Sequence, residues 1–420
     1  FYAREGMVCV GLAWIVMSLL GCLPFWISRE IPSYLDGLFE IVSGFTTTGA
    51  SILSNVEGLS NGMLYWRSFS HWVGGMGVLV FLLAIVPMAG DSHMNLMKAE
   101  SPGPSVGKLV PKVRQTAKYL YIIYFALTMI EVIFLLFGGM NLFEALTTSF
   151  GTAGTGGFAI WNDGFVSVSP YNQWVVTIFM LLFGVNFGFY FLILTGKLRD
   201  ALKFEEVRIY FIIVIAAAVF IFINLRHFAL YAPAEGIRQA FFQVASIITT
   251  TGFASADFNL WPETSRTILV LLMFIGACAG STGGGIKVSR FIIACKSFIK
   301  EIISYLHPRS VKKIKIEGKP LEHETLRATN VYFMTYMVIF AVSVLLVSIE
   351  NKDLVTNFAA VAATFNNIGP GLSLVGPMAN FGHFTDFTKY ILMFDMLAGR
   401  LEIFPMMLLF CPAVWKRRRA

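Results

Sequence analysis

Long apolar segments recur along this sequence, and they restrict the fold more than any other feature. Segments of about 20 apolar residues, when helical, match the thickness of the hydrocarbon core of a bilayer. They cover residues 7–27, 64–88, 117–137, 174–195, 209–223, 268–295, 331–349 and 391–414. Only 14% of the 420 residues are charged, against about 25% in ordinary soluble domains. The sequence therefore predicts an all-α integral membrane protein with eight spans.

The basic residues indicate how these spans are oriented. Most of the 32 Lys and Arg residues lie at the N-terminus, in segments 90–118, 196–208 and 287–327, and in the tail 416–419. Each of these regions follows an even number of spans, and the positive-inside rule places them in the cytoplasm. The net charge of +7 then indicates orientation in the cell inner (cytoplasmic) membrane, with a cytoplasmic C-terminus and contact with anionic lipid. Nucleic-acid binding is not expected, because the charges are spread over several loops.

A shorter amphipathic segment follows every odd-numbered span. These segments cover residues 34–50, 141–158, 235–253 and 354–371, and each has a polar start, an amphipathic turn or two, and near its end a triplet that begins with Thr or Asn and closes with glycine. The four triplets are Thr47, Thr48 and Gly49; Thr155, Gly156 and Gly157; Thr250, Thr251 and Gly252; and Asn367, Ile368 and Gly369. The pattern predicts a fourfold repeat of span, short pore helix, loop and span. Its units cover residues 1–118, 119–207, 208–327 and 328–420.

The four triplets together indicate a pore. A single triplet is more typical of close packing between membrane helices, but non-helical backbone at membrane depth is tolerated where it is buried or lines a watery cavity. Glycine adopts positive φ easily, so carbonyl oxygens can turn toward a common axis and replace the hydration shell of a cation. The C-terminal ends of the short helices add partial negative charge below the loops. Because the triplets contain no Asp or Glu, a monovalent cation is expected.

Several glycines interrupt the sixth apolar segment, which reads GACAGSTGGGIKVSR over residues 276–290. Glycine inside a helix costs about 1 kcal/mol relative to alanine, so a break is expected here. A nucleotide-binding P-loop would need Lys directly after the last Gly, whereas Ile286 stands between Gly285 and Lys287. The segment therefore predicts a broken helix that obstructs or opens the pore. A glycine-rich packing face is the alternative.

Arg400 lies inside the last apolar segment, where an arginine costs from about 2.5 kcal/mol upward unless it has a partner or faces water. In a continuous helix Asp395 and Glu402 would share a stripe that excludes Arg400. Its partner is therefore expected on another helix or among the carbonyl groups of the broken helix. A salt bridge that only joins two helices is the alternative to a gating role.

These motifs resemble those of the Trk/Ktr/HKT superfamily of potassium transporters, and the resemblance covers nearly the whole chain. NNIGPG favours the Trk branch. The motifs are GFTTTGA (44–50), WVGGMGVLVF (72–81), GTGGF (154–158), TTTGF (249–253), NNIGPG (366–371) and GRLEIFP (399–405).

The resemblance implies four units, each like one potassium-channel subunit, around one K⁺ pore per protomer of a homodimer. It implies that Gly49, Gly157, Gly252 and Gly369 are filter glycines. Plant relatives that prefer sodium carry serine where this chain has Gly49. It further implies an intramembrane gating loop, a pore arginine at Arg400, and a cytosolic ring of nucleotide-binding regulatory subunits. The residues assigned to the gate are Gly280, Gly283, Gly284, Gly285, Lys287 and Arg400.

Two other functions are weighed against potassium uptake. Cation symport coupled to H⁺ or Na⁺ would need a buried titrating carboxylate or a second ion site, and Glu131 and Glu402 are interpreted instead as packing or interfacial groups. An enzyme would need convergent catalytic groups or metal ligands. His71 is the only histidine near a span, with no second ligand at i+4, so neither a catalytic residue nor an organic cofactor is expected.

Overall fold

The structure, a computed structural model, describes residues 3–77, 113–307, 313–317, 319–321 and 323–415, and over these the chain is mainly helical. The helices are α1 (Ala3–Gly21), α2 (Leu23–Ser28), α3 (Tyr34–Phe45), α4 (Asn61–Met76), α5 (Val113–Phe137), α6 (Leu142–Gly154), α7 (Pro170–Phe183), α8 (Phe187–Leu194), α9 (Leu198–Ala201), α10 (Glu205–His227), α11 (Pro233–Ile248), α12 (Glu263–Ile275), α13 (Val288–Leu306), α14 (His323–Val347), α15 (Leu354–Phe365), α16 (Asp386–Arg400), α17 (Phe404–Leu409) and α18 (Pro412–Trp415). Single 3₁₀ turns cover Phe258–Leu260, Ser348–Glu350 and Ser373–Val375, and strands β1 (Lys315–Ile316) and β2 (Lys319–Pro320) form a small antiparallel hairpin.

The odd-numbered apolar segments form continuous spans. Among the described residues, Glu5–Ser28, Lys118–Phe137, Glu205–His227 and His323–Glu350 are each long and apolar enough to cross a membrane. Large apolar side chains stay exposed on their outer faces, for example Phe125 on α5 and Ile212 on α10. Extensive exposed apolar surface of this kind is suited to lipid rather than water.

The fourth, sixth and eighth segments are interrupted, which the sequence analysis expected only for the sixth. The fourth segment, predicted as one span over 174–195, bends by 88° between Phe183 and Phe187. The sixth breaks between Ile275 and Val288. In the second, α4 ends at Met76, and the remainder of that predicted span lies outside the described residues, as do the basic segments 90–112 and 416–419.

The last segment, predicted as one span over 391–414, also breaks. Helix α16 ends at Arg400, and φ is positive at Glu402 (58°) and Ile403 (69°). Pro405 lies in the first turn of the next short helix, α17, and a proline ring would clash with the carbonyl group four residues earlier in a continuous helix. The assumption of one helical stripe through Asp395 and Glu402 was therefore wrong.

Four shorter helices, α3, α6, α11 and α15, lie among the spans. Helix α3 packs against α4 and α16, α6 against α4 and α5, α11 against α7 and α10, and α15 against α14 and α16. Three begin with a side-chain cap: Ser33 accepts from the Asp36 amide, Asn141 from the Glu144 amide, and Asp353 from the Thr356 amide. Such caps satisfy amides that the first turn leaves without helical partners. The hydrogen bond from the Thr356 hydroxyl also lowers the pKa of Asp353.

Candidate functional site

Each of the four shorter helices leads directly into one triplet, and the four triplets share one backbone conformation. The first residue of each has positive φ, and so does the closing glycine. The values are Thr47 53° and Gly49 80°, Thr155 55° and Gly157 80°, Thr250 60° and Gly252 82°, and Asn367 55° and Gly369 93°. Positive φ is uncommon for residues other than glycine. Its recurrence at the same place in four loops means that the four triplets turn in the same way.

The triplets form a closed ring. A Cβ atom built on each glycine would collide with the carbonyl oxygen of the middle residue in the next triplet, and the last contact returns to the first triplet. The pairs are Gly49 with Gly156, Gly157 with Thr251, Gly252 with Ile368, and Gly369 with Thr48. The ring therefore has room only for glycine at these four positions, and it brings together segments that lie far apart in the sequence.

One cavity opens over this ring. It has a volume of about 140 Å³ and is lined by all four glycines, by residues that follow them in the loops, and by Arg67. The twelve triplet residues predicted from the sequence are thus assembled at one place.

Glu40 and Arg67 support the ring, and the sequence analysis missed both. The Arg67 Nε donates to the Glu40 carboxylate at 2.6 Å, and its Nη1 donates to the Ala159 carbonyl at 2.7 Å. Glu40 also accepts from the Ile52 amide at 3.0 Å. The buried ion pair therefore joins the loops that follow Gly49 and Gly157. The sequence did offer a signal for Arg67, because an arginine inside an apolar segment needs a partner. The same argument was applied to Arg400.

His71 connects the end of α3 with the loop that follows Gly157. Its Nδ1 lies 2.7 Å from the Gly44 carbonyl oxygen, and its Nε2 accepts from the Phe158 amide at 3.2 Å. A ring nitrogen that accepts a hydrogen bond carries no proton, so the imidazole is neutral with its hydrogen on Nδ1. The side chain is fully buried, and it holds the end of α3 against the second triplet.

Residues 276–287, here called the intramembrane loop, lie against the first residues of the triplets. The Gly284 amide donates to the Thr250 hydroxyl at 2.6 Å, and the Thr155 hydroxyl donates to the Thr282 carbonyl at 3.0 Å. A Cβ on Gly284 would lie 3.0 Å from the Asn367 side chain. The loop thus contacts three of the four triplets, away from the glycines that line the cavity.

Arg400 has the partners expected for it, the carbonyl groups of the intramembrane loop and of another helix. Its Nη1 donates to the Thr282 carbonyl oxygen at 2.8 Å, and its Nη2 donates to those of Gly75 at 3.0 Å and Gly74. The guanidinium therefore connects the loop with the end of α4. Glu402 instead pairs with Arg290.

The other predicted gate residues lie within the same loop. Lys287 is fully buried and its Nζ donates to the Gly283 carbonyl. Gly280 and Gly285 have positive φ, 69° and 74°, and Gly280 packs against Asn186 at the bend between α7 and α8.

Two further buried carboxyl groups lie within the helices and do not line the cavity over the ring. Glu131 in α5 and Asp395 in α16 are fully buried. Both oxygens of Glu131, and Oδ2 of Asp395, have no hydrogen-bond partner in the described part of the chain. The other Asp395 oxygen accepts from the Ser343 hydroxyl at 2.7 Å. From the sequence, Glu131 was interpreted as a packing or interfacial group, and Asp395 was considered only as a possible partner of Arg400.

Comparison with known proteins decides the family. The family model TrkH, described as "Cation transport protein", matches residues 1–417. The chain belongs to the TrkH family of cation transport proteins. The resemblance to the Trk branch is thereby confirmed, and as a member of the TrkH family the chain is a membrane protein.

Individual members of the TrkH family match over the whole chain. The Trk system potassium uptake protein TrkH of Escherichia coli K12 is 38% identical over 425 residues, covering 99% of this chain and 86% of the relative. The Trk system potassium uptake protein TrkG of the same organism is 31% identical and covers 98% and 86%. The crystal structure of the potassium transporter TrkH from Vibrio parahaemolyticus superimposes with a TM-score of 0.87 at 34% identity, covering 99% of this chain and 86% of that one.

Proposed function

We propose that this chain is a potassium uptake protein that conducts K⁺ across the cytoplasmic membrane through the ring of triplets. The closed ring carries the proposal, because four distant loops meet around one centre and line one cavity. Relatives named as potassium uptake proteins support K⁺ as the ion. An inside-negative potential favours entry by about 2.3 kcal/mol per charge per 100 mV.

The ring selects the ion through backbone carbonyl groups. The middle residues Thr48, Gly156, Thr251 and Ile368 supply the oxygens that contact the neighbouring glycines, and such oxygens can replace the hydration shell of a cation. Arg67 compensates the charge of Glu40 beside the ring. The site thus depends on carbonyl dipoles and not on a carboxylate ring, which suits a monovalent ion.

The intramembrane loop and Arg400 act as the gate. The loop lies directly below the ring, where it contacts Thr155 and Thr250. Lys287 and Arg400 place two basic side chains next to this position, and the positive charge of Arg400 repels a passing cation. Displacement of the loop would remove both the obstruction and its contact with Arg400.

The proposal includes the four units 1–118, 119–207, 208–327 and 328–420, with a cytoplasmic C-terminus. Each unit contributes one short helix and one triplet to the ring. We further propose that the chain forms a homodimer with one pore per protomer and is regulated by a cytosolic ring of nucleotide-binding subunits. The relatives' designation as Trk system proteins supports association with other components.

The test is cation flux into proteoliposomes with K⁺ and with Na⁺, comparing the natural chain with Gly49→Ser. The matched control is Gly139→Ser, because Gly139 also has positive φ (85°) but a Cβ atom built on it would meet no atom of the described residues within 4 Å. Both variants carry backbone strain of about 1–2 kcal/mol, so their difference isolates the collision with the Gly156 carbonyl. We expect Gly49→Ser alone to lower selectivity for K⁺, about tenfold for each 1.4 kcal/mol of changed relative binding. Unaltered selectivity in Gly49→Ser would remove the ring from the selection of the ion.

Cation symport coupled to H⁺ or Na⁺ is the second candidate function. The specific observation in its favour is the pair of fully buried carboxyl groups, Glu131 and Asp395, with oxygens that lack partners among the described residues. Neither residue lines the cavity over the ring. Conduction therefore remains the function that the geometry supports best.

A further inference from the structure

Glu206 contacts the intramembrane loop and the start of the helix that follows it, although it lies on a different helix. It is in the first turn of α10 and is 8% exposed. Its Oε1 accepts from the Ala279 amide at 2.7 Å and from the Ser289 amide at 3.0 Å. A single carboxylate oxygen therefore accepts hydrogen bonds from two amides, one inside the loop and one just after the end of the loop.

Both hydrogen bonds are of a strong type. Ser289 is in the first turn of α13, where backbone amides have no helical partner. A carboxylate at this position also interacts favourably with the positive end of the helix dipole. Hydrogen bonds to an ionised acceptor are roughly twice as strong as neutral ones.

The neighbours of Ala279 are also fixed, by the unexpected bend in the fourth apolar segment. The Cys278 amide donates to the Gly184 carbonyl at 3.0 Å, and the Phe187 amide donates to the Gly280 carbonyl at 3.0 Å. Because the helix is interrupted at the bend, the Gly184 carbonyl and the Phe187 amide are available to pair with the loop. Ala279, which donates to Glu206, lies between Cys278 and Gly280, the two loop residues that pair with the bend.

We propose that Glu206 is a positioning residue that holds the intramembrane loop in the observed place, so that the loop leaves only when the hydrogen bond from the Ala279 amide to the Glu206 carboxylate breaks. The inference rests on the proposed function in taking the loop as the gate. The inference itself concerns only which residue fixes the position of the loop. It does not concern which ion the pore conducts.

The chain offers a native reporter of loop position and a matched control. Cys278 lies in the loop and is fully buried. Because the thiolate is the species that reacts, its rate of alkylation by N-ethylmaleimide is measured over a range of pH, and the rate at full ionisation of the thiol reports exposure of the loop. The control is Glu205→Ala, because Glu205 pairs with Lys296 on α13 at 2.6 Å and thus joins the same two helices without contacting the loop. The background carries alanine at the other cysteines, which are Cys9, Cys22, Cys295 and Cys411.

The experiment measures Cys278 alkylation and K⁺ flux on the full chain in proteoliposomes. We expect Glu206→Ala to accelerate alkylation at least about tenfold, the factor for loss of one hydrogen bond to a charged group, and to raise flux. Glu206→Gln keeps an acceptor oxygen but loses the charge, so it should give a smaller acceleration. Glu205→Ala should leave the alkylation rate unchanged.

The outcomes separate this inference from the proposed function. An unchanged alkylation rate in folded Glu206→Ala overturns the positioning role, whatever the flux. Faster alkylation with unchanged flux supports the positioning role and contradicts the assignment of the loop as the gate. If the alanine variant does not fold, as judged by size-exclusion chromatography, Glu206→Gln decides: an alkylation rate equal to that of the natural residue overturns the inference, and a faster one supports it.

Discussion

Replacing Arg400 with alanine is expected to favour the conducting state, because it removes a hydrogen bond that depends on the observed position of the intramembrane loop. The Arg400 guanidinium donates to Thr282 in the loop at 2.8 Å, and to Gly74 and Gly75 at the end of α4. When the loop moves, the bond to Thr282 is lost, whereas those to Gly74 and Gly75 need not change. A hydrogen bond to a charged group contributes about 1.5–3 kcal/mol. The ratio of displaced to observed loop positions should therefore rise roughly 10- to 150-fold.

The assay is K⁺ flux into proteoliposomes at limiting and at saturating K⁺. Loss of positive charge could by itself admit cations, so Arg400→Lys is the necessary comparison. Lysine keeps the charge but offers a single point donor in place of the planar fork that bridges Thr282 and Gly75. If the bridge matters, Arg400→Lys should also raise flux, by less than alanine does. Flux equal to that of the natural chain at both concentrations in Arg400→Ala would refute the argument.

Two further predictions concern buried side chains. His71→Ala removes the hydrogen-bond partner of both the Gly44 carbonyl and the Phe158 amide. It should lower the free energy of unfolding by about 1–3 kcal/mol for each group left without a partner. Thermal unfolding measures this change, and a midpoint equal to that of the natural chain would contradict the bridging role. Glu131→Gln should leave K⁺ uptake driven by membrane potential unchanged, and an imposed pH gradient should not drive uptake in either protein. Proton-driven uptake that Glu131→Gln abolishes would favour symport over conduction.

The positions of the ring glycines could be predicted because a local sequence pattern marks them, although the contact that requires glycine is made with a distant triplet. A residue that must have positive φ beside another backbone has to be glycine, and Gly49, Gly157, Gly252 and Gly369 each follow a short amphipathic segment at the same spacing. The odd-numbered spans were also predictable, since span length depends only on a run of apolar residues. The contact between the Arg400 guanidinium and a loop carbonyl was predictable in kind, because a charge at membrane depth needs partners.

The remaining features depend on contacts between residues that are distant in the sequence. The fourth segment has the composition of a straight span, and its 88° bend is accompanied by backbone pairing of Gly184 and Phe187 with the intramembrane loop. The break after Arg400 was missed although Pro405 marked it.

The sequence by itself determined the membrane class, the four triplets and the residues that could not remain unpaired, because apolar length, glycine spacing and isolated charge are local quantities. Only the tertiary structure decided which groups meet: Glu40 with Arg67, His71 with Phe158, and Glu206 with the two amides at Ala279 and Ser289. The physical reason is that hydrogen-bond partners are chosen by proximity in the folded chain, and the closing of the ring is what brings these segments together.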